Sequence, residues 1–551
     1  MHHVMSIRAG TRGLPRLLVV CMAAGIVGLA APAAPGTGEA AFAQSIPLSE
    51  ATIADLNAAF ASGSLSSEQL VSLFLARIRA YDDQGPRLNA MIALNPNALE
   101  AARALDAERL SSGPRSALHG IPVILKDNVD THDMPTTAGS ILLRGSVPPD
   151  DAFIVRKLRE AGAIILGKAN MSELASGVQM SSIDGPMLNP HNLGRTPSGS
   201  SGGTGVAIAA VYAQLGIGTD TGGSVRGPST SNGIAGLKPT LGLLSRDGIV
   251  PLALSFDTAG PMARSVYDLA VMLSAMVGVD PADAATAASA GRYETDYTRA
   301  LDEGALAGAR IGIARDFLGY DTEVDWIIEA ALDALREAGA MVIDVRYPPW
   351  LLDAKAEFYQ TIRFREFPVQ MEAYLATLSP GYPRTVEEMV ERAKKILAPL
   401  PDGGRPNPTR WSFFEQELDG GSLDDSEYAA MRDHGLPLVR DLLVGLLDDH
   451  GLDAIVYPTS PTRPGPTGVY RGSSAPNPAP SATNLANLSG LPDLIVPAGY
   501  TGDRLPVGIS FLGREFSEAR LLALGYAFEQ ATRVRRDPVH APALPGDSIR
   551  R

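Results

Sequence analysis

The chain has 551 residues and a single cysteine, Cys21. Beyond Cys21 it therefore has no thiol nucleophile, no thiolate metal ligand and no disulfide. Histidine is scarce too: apart from His2 and His3 there are only His119, His132, His191, His434, His450 and His540. None of these can be tied to a serine by spacing, and His119 beside Gly120 reads as a turn residue. Basic charge is lacking, with a formal net charge of −14. That argues against a nucleic-acid partner, which needs a positive surface to meet phosphates. No Gly-Lys-Ser/Thr tripeptide occurs, so there is no phosphate-binding loop of that type. Gly216, Gly218 and Gly222 miss the dinucleotide-binding spacing by one position.

Long apolar runs are also few. The clearest, Leu17 to Ala31, stops at Pro32, short of the ~20 residues that span a bilayer. Arg8, Arg12 and Arg16 precede it, no acid occurs before Glu39, and Ala41-Phe42-Ala43 forms a small-x-small site. This pattern predicts a secretory signal peptide at residues 1–43, cleaved before Gln44. The mature chain, 44–551, is then exported to the periplasm or beyond the cell. It keeps no stable membrane insertion and loses Cys21. Val20 before Cys21 does not suit a lipoprotein, and the separated arginines do not suit a twin-arginine route.

What is present is enough for a large core: 45% of residues are apolar and 20% charged. Ser66 and Ser67 open a helical pattern with Leu70, Leu73, Phe74 and Ile78 on one face. A second helix is predicted from Asn97 to Leu110. Strands are expected at 122–125, 163–166, 310–314, 341–345, 453–457, 494–496 and 507–512, with helices at 151–161 and 203–212. The alternation indicates an α/β fold with a largely parallel or mixed sheet. Residues 349–440 read as a helical, aromatic-rich insertion, either a cap over a pocket or a unit packing its own core. Residues 463–480 read as a Pro/Gly/Ser-rich loop and 535–551 as a polar tail on the surface.

The densest glycine lies between Gly194 and Gly248. Gly199-Ser200-Ser201-Gly202-Gly203 formally matches a nucleophile elbow centred on Ser201, but the residues before it read as loop, where that elbow needs a buried strand. Three segments belong together instead: His119-Gly-Ile-Pro-Val-Ile-Leu-Lys126-Asp127, the Gly199–Gly203 loop, and Gly218-Thr-Asp220-Thr221-Gly222-Gly223-Ser224-Val-Arg226. With Gly167-Lys-Ala-Asn170, Gly236-Leu-Lys-Pro-Thr240, Gly260-Pro261 and Ser489-Gly-Leu-Pro492, they resemble the amidase signature family over nearly all of the mature chain. The resemblance is closest to bacterial peptide-amidase-like members, which cleave C-terminal peptide amides. It implies a mixed, twisted central sheet between helical layers and one large domain, 44–551. It also implies a Ser–cisSer–Lys triad of Ser224 as nucleophile, Ser200 as bridging serine and Lys126 as base, with no metal or cofactor. Ser198 departs from the pattern, since many members have glycine there.

The chemistry of the residues agrees. A lysine can act as a base only when neutral, and burial disfavours its charged form. Asp127 would oppose this unless its side chain points to the other face, as strand alternation predicts. Successive N–H groups of Thr221, Gly222, Gly223 and Ser224 can surround an oxyanion. Ala175 and Ser176 are expected near the substrate by resemblance. Asp220 and Arg226 read as an ion pair holding the loop, with substrate contact as the alternative. The partner is then a small-molecule or peptide amide. Aryl amides, esters or carbamates are alternatives within the family. Rivals are a glutaminyl-tRNA amidotransferase component, against which the signal peptide speaks, a non-catalytic secreted solute-binding protein, and a catalytically silent member.

Overall fold

The computed structural model describes residues 45–401, 403–467 and 481–550. The export segment and most of the Pro/Gly/Ser-rich loop lie outside the described residues. Eleven strands form one sheet: β1 (Met91–Leu94), β2 (Pro122–Lys126), β3 (Ile164–Ala169), β4 (Leu215–Asp220), β5 (Ala235–Lys238), β6 (Thr258–Ala263), β7 (Arg310–Ala314), β8 (Met341–Val345), β9 (Ala454–Pro458), β10 (Asp493–Tyr500) and β11 (Pro506–Leu512). Their order across the sheet is β8-β7-β9-β11-β10-β5-β6-β4-β2-β3-β1. β2 runs parallel to both β3 and β4, and β7 parallel to β8 and β9; the other pairs are antiparallel. The sheet is thus mixed and flanked by helices. Helix starts follow local chemistry: Ser66 caps the helix Ser67–Ile78 by accepting from Gln69 N while Gln69 reaches back.

β4, β5 and β6 occupy the middle of the sheet although their sequences, rich in Gly, Thr and Ala, do not show an apolar strand pattern. Their small residues serve a close approach. Helix α1 (Gly202–Ala209) lies on β2 and β4. A Cβ on Gly216 of β4 would meet Thr204 at 2.5 Å and Ile208 at 3.0 Å. A side chain there would push the helix, and the serine loop before it, off the sheet.

The predicted insertion contains α2 (Pro349–Leu375), with Pro368 inside it, and α3 (Pro408–Leu418). Phe367, Met371, Val386, Met389 and Phe414 from this region share one apolar cluster with Leu142, Met171, Leu174, Val250 and Leu252. The insertion therefore packs both on itself and on the segments around Leu174 and Leu252. The C-terminal tail does not simply coat the surface. Ile549 is buried, Asp547 pairs with buried Arg77, and Ser548–Arg550 forms a short antiparallel pair with Ser45–Pro47.

Candidate active site

Lys126 ends β2 with its side chain fully buried. The serine loop reaches it because glycine is needed at two points. A Cβ on Gly203 would lie 2.1 Å from Asn170 O, and one on Gly199 2.5 Å from Ser172 Oγ. The Gly199–Ser200 peptide bond is cis. Lys126 Nζ lies 2.7 Å from Ser200 Oγ, 2.7 Å from Thr219 Oγ1 and 3.4 Å from Thr219 O. A neutral amine has two N–H groups and one lone pair. Thr219 can accept the two hydrogens, which leaves the lone pair facing the Ser200 hydroxyl. The same three oxygens accept from the ammonium form, so the site holds both states of a base. Asn128 Nδ2 donates to Thr219 Oγ1 at 3.1 Å and fixes that hydroxyl.

Burial pulls the Lys126 pKa from 10.5 down to about 7, against the opposing pull of Asp220 and Asp257. Asp127 does not neutralise it. Its carboxylate accepts from Thr137 N at 3.3 Å and Gly139 N at 3.1 Å and lies 3.7 Å from Lys168. Ser201, the centre of the formal elbow, is buried; its Oγ donates to Thr219 O and accepts from Thr219 N, each at 3.2 Å. It ties the loop to β4. His119 is likewise structural: Arg115 N donates to its Nδ1, and its Nε2 lies 2.9 Å from Leu105 O.

Ser224 follows β4 on a loop whose shape is set by Asp220. That carboxylate accepts from Gly223 N at 2.8 Å and Val225 N at 2.9 Å, from the Arg226 guanidinium at 3.0 and 3.1 Å, and from Asn487 Nδ2 at 2.8 Å. Arg226 also donates to Asp493 and to Thr483 O, each at 2.8 Å. Burial would raise the Asp220 pKa, but the Arg226 guanidinium and these N–H groups hold it well below the usual range. Both side chains are completely buried and their bonds go to the loop and its neighbours, so Asp220 and Arg226 support the loop. Gly223, expected among the oxyanion donors, spends its N–H on Asp220. The N–H groups of Thr221, Gly222 and Ser224 have no acceptor among the described residues. Gly223 has φ +123, and a Cβ there would collide with Thr483 Oγ1 at 2.3 Å. Ser201 N donates to Ser224 O at 3.3 Å, joining the two serine loops.

Leu174 and Ala175 have φ +46 and +58, a rare conformation for residues with side chains. Ala175 borders a narrow cavity shared with Asn128, Thr219, Thr221, Leu252 and Asp257. Ser176 Oγ accepts from Arg363 of α2 at 2.9 Å, so it is tied to the insertion. Ser198 has φ +64, the region glycine adopts freely, which explains why glycine suits this position. Sequence reasoning missed Thr219, Asn128 and Thr483, and it read Asp257 only as part of the family pattern, with no role at the site. Thr219 shares the Gly-Thr-Asp run with a named residue, and Asp257 accepts from Thr221 Oγ1 at 2.5 Å. Nothing near Thr483 in the sequence signals that it touches this loop. Among the described residues, His132, Asp133 and Asp151 are the group best placed to gather a metal ion. Arg159 already bonds both of these carboxylates, at 2.8 and 2.9 Å.

A family model described as Amidase matches residues 69–522. The peptide amidase of Stenotrophomonas maltophilia superposes with a TM-score of 0.81 at 40% identity, covering 90% of this chain and 100% of that one. A glutamyl-tRNA(Gln) amidotransferase component of Halorhodospira halophila is 37% identical, over 87% of this chain and 97% of its own. A probable amidase of Arabidopsis thaliana is 34% identical over 89% and 92%. With a family match over most of its length and with close relatives covering nearly all of theirs, this chain belongs to the amidase signature family and is a hydrolase of amide C–N bonds.

Proposed function

We propose that the chain is an exported hydrolase of C-terminal peptide amides, acting through an acyl-enzyme on Ser224. The observation that carries the mechanism is the contact of Lys126 Nζ with Ser200 Oγ at 2.7 Å, in a buried pocket where no carboxylate among the described residues lies within ion-pair distance of the lysine. Lys126 takes the Ser200 proton as Ser200 takes that of Ser224, and Ser224 Oγ attacks the carbonyl carbon. The free N–H groups of Thr221, Gly222 and Ser224 meet the developing oxyanion. Collapse breaks the C–N bond, and Ser200 returns a proton to the leaving nitrogen. Water then repeats the sequence on the ester and releases the acid.

Similarity to a peptide amidase supports the substrate class, and the basic-then-apolar N-terminus supports export. A second reading, an ammonia-donating component of an amidotransferase, has the 37% identical relative in its favour. The test is the mature chain alone on peptide amides, amino-acid amides, anilides, esters and carbamates. Peptide amides are expected to turn over fastest, without partner or ATP; no turnover until a partner is added would favour the second reading. Ser224→Ala should lose roughly 10⁶-fold in kcat while keeping its fold, and near-wild-type turnover would overturn the mechanism. Intact-mass analysis of exported protein should begin at Gln44, and a retained Cys21 would overturn processing there.

A further inference from the structure

Lys355 lies on α2, 4% exposed, with its Nζ 5.5 Å from the centre of the Phe317 ring. Nζ donates to the backbone carbonyl of Ser481. Unlike Lys168, it has no carboxylate within ion-pair distance among the described residues. A buried ammonium without a counter-charge is costly, and a methionine would fill the same space. The cation must therefore be doing something that packing alone does not need.

Its acceptor among the described residues leads to the catalytic loop. Ser481 Oγ donates to Asn484 Oδ1 at 2.5 Å and lies 3.2 Å from Thr483 Oγ1, and Thr483 Oγ1 in turn lies 3.0 Å from Gly222 O, to which it can donate. Thr483 O accepts from Arg226, and the Thr483 side chain fills the space beside the Gly223 Cα. Helix α4 (Asn484–Ser489) starts directly after it, so residues 481–483 form a strut between the insertion and the oxyanion loop. On the other side Asp257 holds Thr221, and from beneath Asp220 holds Gly223 and Val225. Among the described residues, only the strut reaches the Gly222 carbonyl.

We infer that Lys355 is a positioning residue: it fixes Ser481, and through Thr483 the Gly222–Gly223 turn, so that the free N–H groups point at the oxyanion. The insertion is then a working part of the catalytic apparatus. This rests on the acyl-enzyme reading for its kinetic consequence, but not for its effect on the loop. Burial also lowers the Lys355 pKa from 10.5 to about 8, in keeping with a cation held without a counter-ion.

The experiment compares mature wild type with Lys355→Met and Lys355→Arg. Three properties are read: kcat and KM on a peptide amide, affinity for a peptide aldehyde whose adduct with Ser224 carries an oxyanion, and hydrogen exchange of the 221–225 segment. Lys355→Met should lower kcat roughly 10-fold, less than losing a whole donor, with KM within about twofold. Aldehyde affinity should fall by the same factor and exchange at 221–225 should quicken, while Lys355→Arg restores most of both. A merely structural lysine would lower the melting temperature while leaving kcat per folded molecule and aldehyde affinity unchanged, which overturns the proposal. If wild type turns over no amide, the proposed function fails; the exchange measurement then decides alone, and unchanged exchange in Lys355→Met overturns the inference.

Discussion

Lys126 and Lys168 sit on neighbouring parallel strands, one position out of step, and both are completely buried. Lys168 is 3.7 Å from the Asp127 carboxylate, donates to Thr136 Oγ1 at 2.8 Å and feels Asp130 as well. Lys126 meets two hydroxyls and a carbonyl. Burial lowers both pKa values and carboxylates pull both back up, Asp220 and Asp257 without touching Lys126, Asp127 from direct ion-pair distance on Lys168. Burial alone does not make a base; burial without an adjacent acid does. The difference turns on one backbone step. Lys126 and Asp127 are consecutive, so their side chains leave opposite faces of the sheet. Leu125 is in register with Lys168, which puts Asp127 on the Lys168 face. Slipping β2 by one residue would exchange the two environments and extinguish the site.

The largest way to break this comparison is Lys126→Met. General-base catalysis supplies roughly 10²–10⁴ in rate, so kcat should fall by at least that factor across the accessible pH range. Wild-type kcat/KM should rise with pH and level off above about 7, where Lys126 becomes neutral. A profile flat from pH 5 to 9 would exclude Lys126 as the titrating base. Stability moves the other way. The unfolded lysine binds its proton with the ordinary pKa of 10.5 and the folded one with about 7. Wild type therefore loses stability as pH falls through that interval, and loses no more below it. Each pKa unit is worth about 1.4 kcal/mol, so between pH 7 and 9 wild type should regain about 2–3 kcal/mol relative to Lys126→Met. Urea unfolding of both proteins at the two pH values measures it.

The triad was legible because each member stands inside a contiguous motif: Lys126 after an apolar run, Ser200 between glycines, Ser224 behind two glycines. The strands that hold them were only half legible. Pro122–Lys126 and Ile164–Ala169 carry β-branched and leucine runs. Leu215–Asp220, Ala235–Lys238 and Thr258–Ala263 do not, because their glycines and alanines are chosen for helix contact at Gly216 and, at Gly260, for a strand neighbour whose Leu237 O a Cβ would approach to 2.3 Å. Composition that reads as loop is here the price of close packing. Thr483 and Asn487 were not legible at all. They meet Asp220 and Gly222 across more than 250 residues of chain, and no local pattern records such a contact.

The next break is on the other face. Asp127→Asn leaves Lys168 buried without its nearest counter-charge, and breaking a buried pair costs about 3–5 kcal/mol. The loss should appear in urea unfolding. The pH midpoint of kcat/KM should stay where it was, because Asp127 does not face Lys126. A midpoint moved by a full unit would show that the two faces are coupled and would undo the comparison.

The sharpest version makes Lys126 resemble Lys168. Thr219 Oγ1 is its closest neighbour besides Ser200, so Thr219→Asp puts a carboxylate where a hydroxyl stood. An adjacent opposite charge favours the charged form and shifts a pKa by about 1–3 units. The pH midpoint of kcat/KM should therefore climb by that amount, and activity at pH 7 should fall roughly 10- to 10³-fold. Much of it should return at pH 9 to 10, because the nucleophile, the bridging serine and the free N–H groups are untouched. Thr219→Val is the control: it removes the same hydroxyl without adding charge, and its midpoint should not rise. If both variants lose activity equally at every pH, the Thr219 hydroxyl matters for holding the amine in place and the absence of a carboxylate does not. If only the aspartate variant regains activity in base, the charge environment is what separates a catalytic lysine from a structural one.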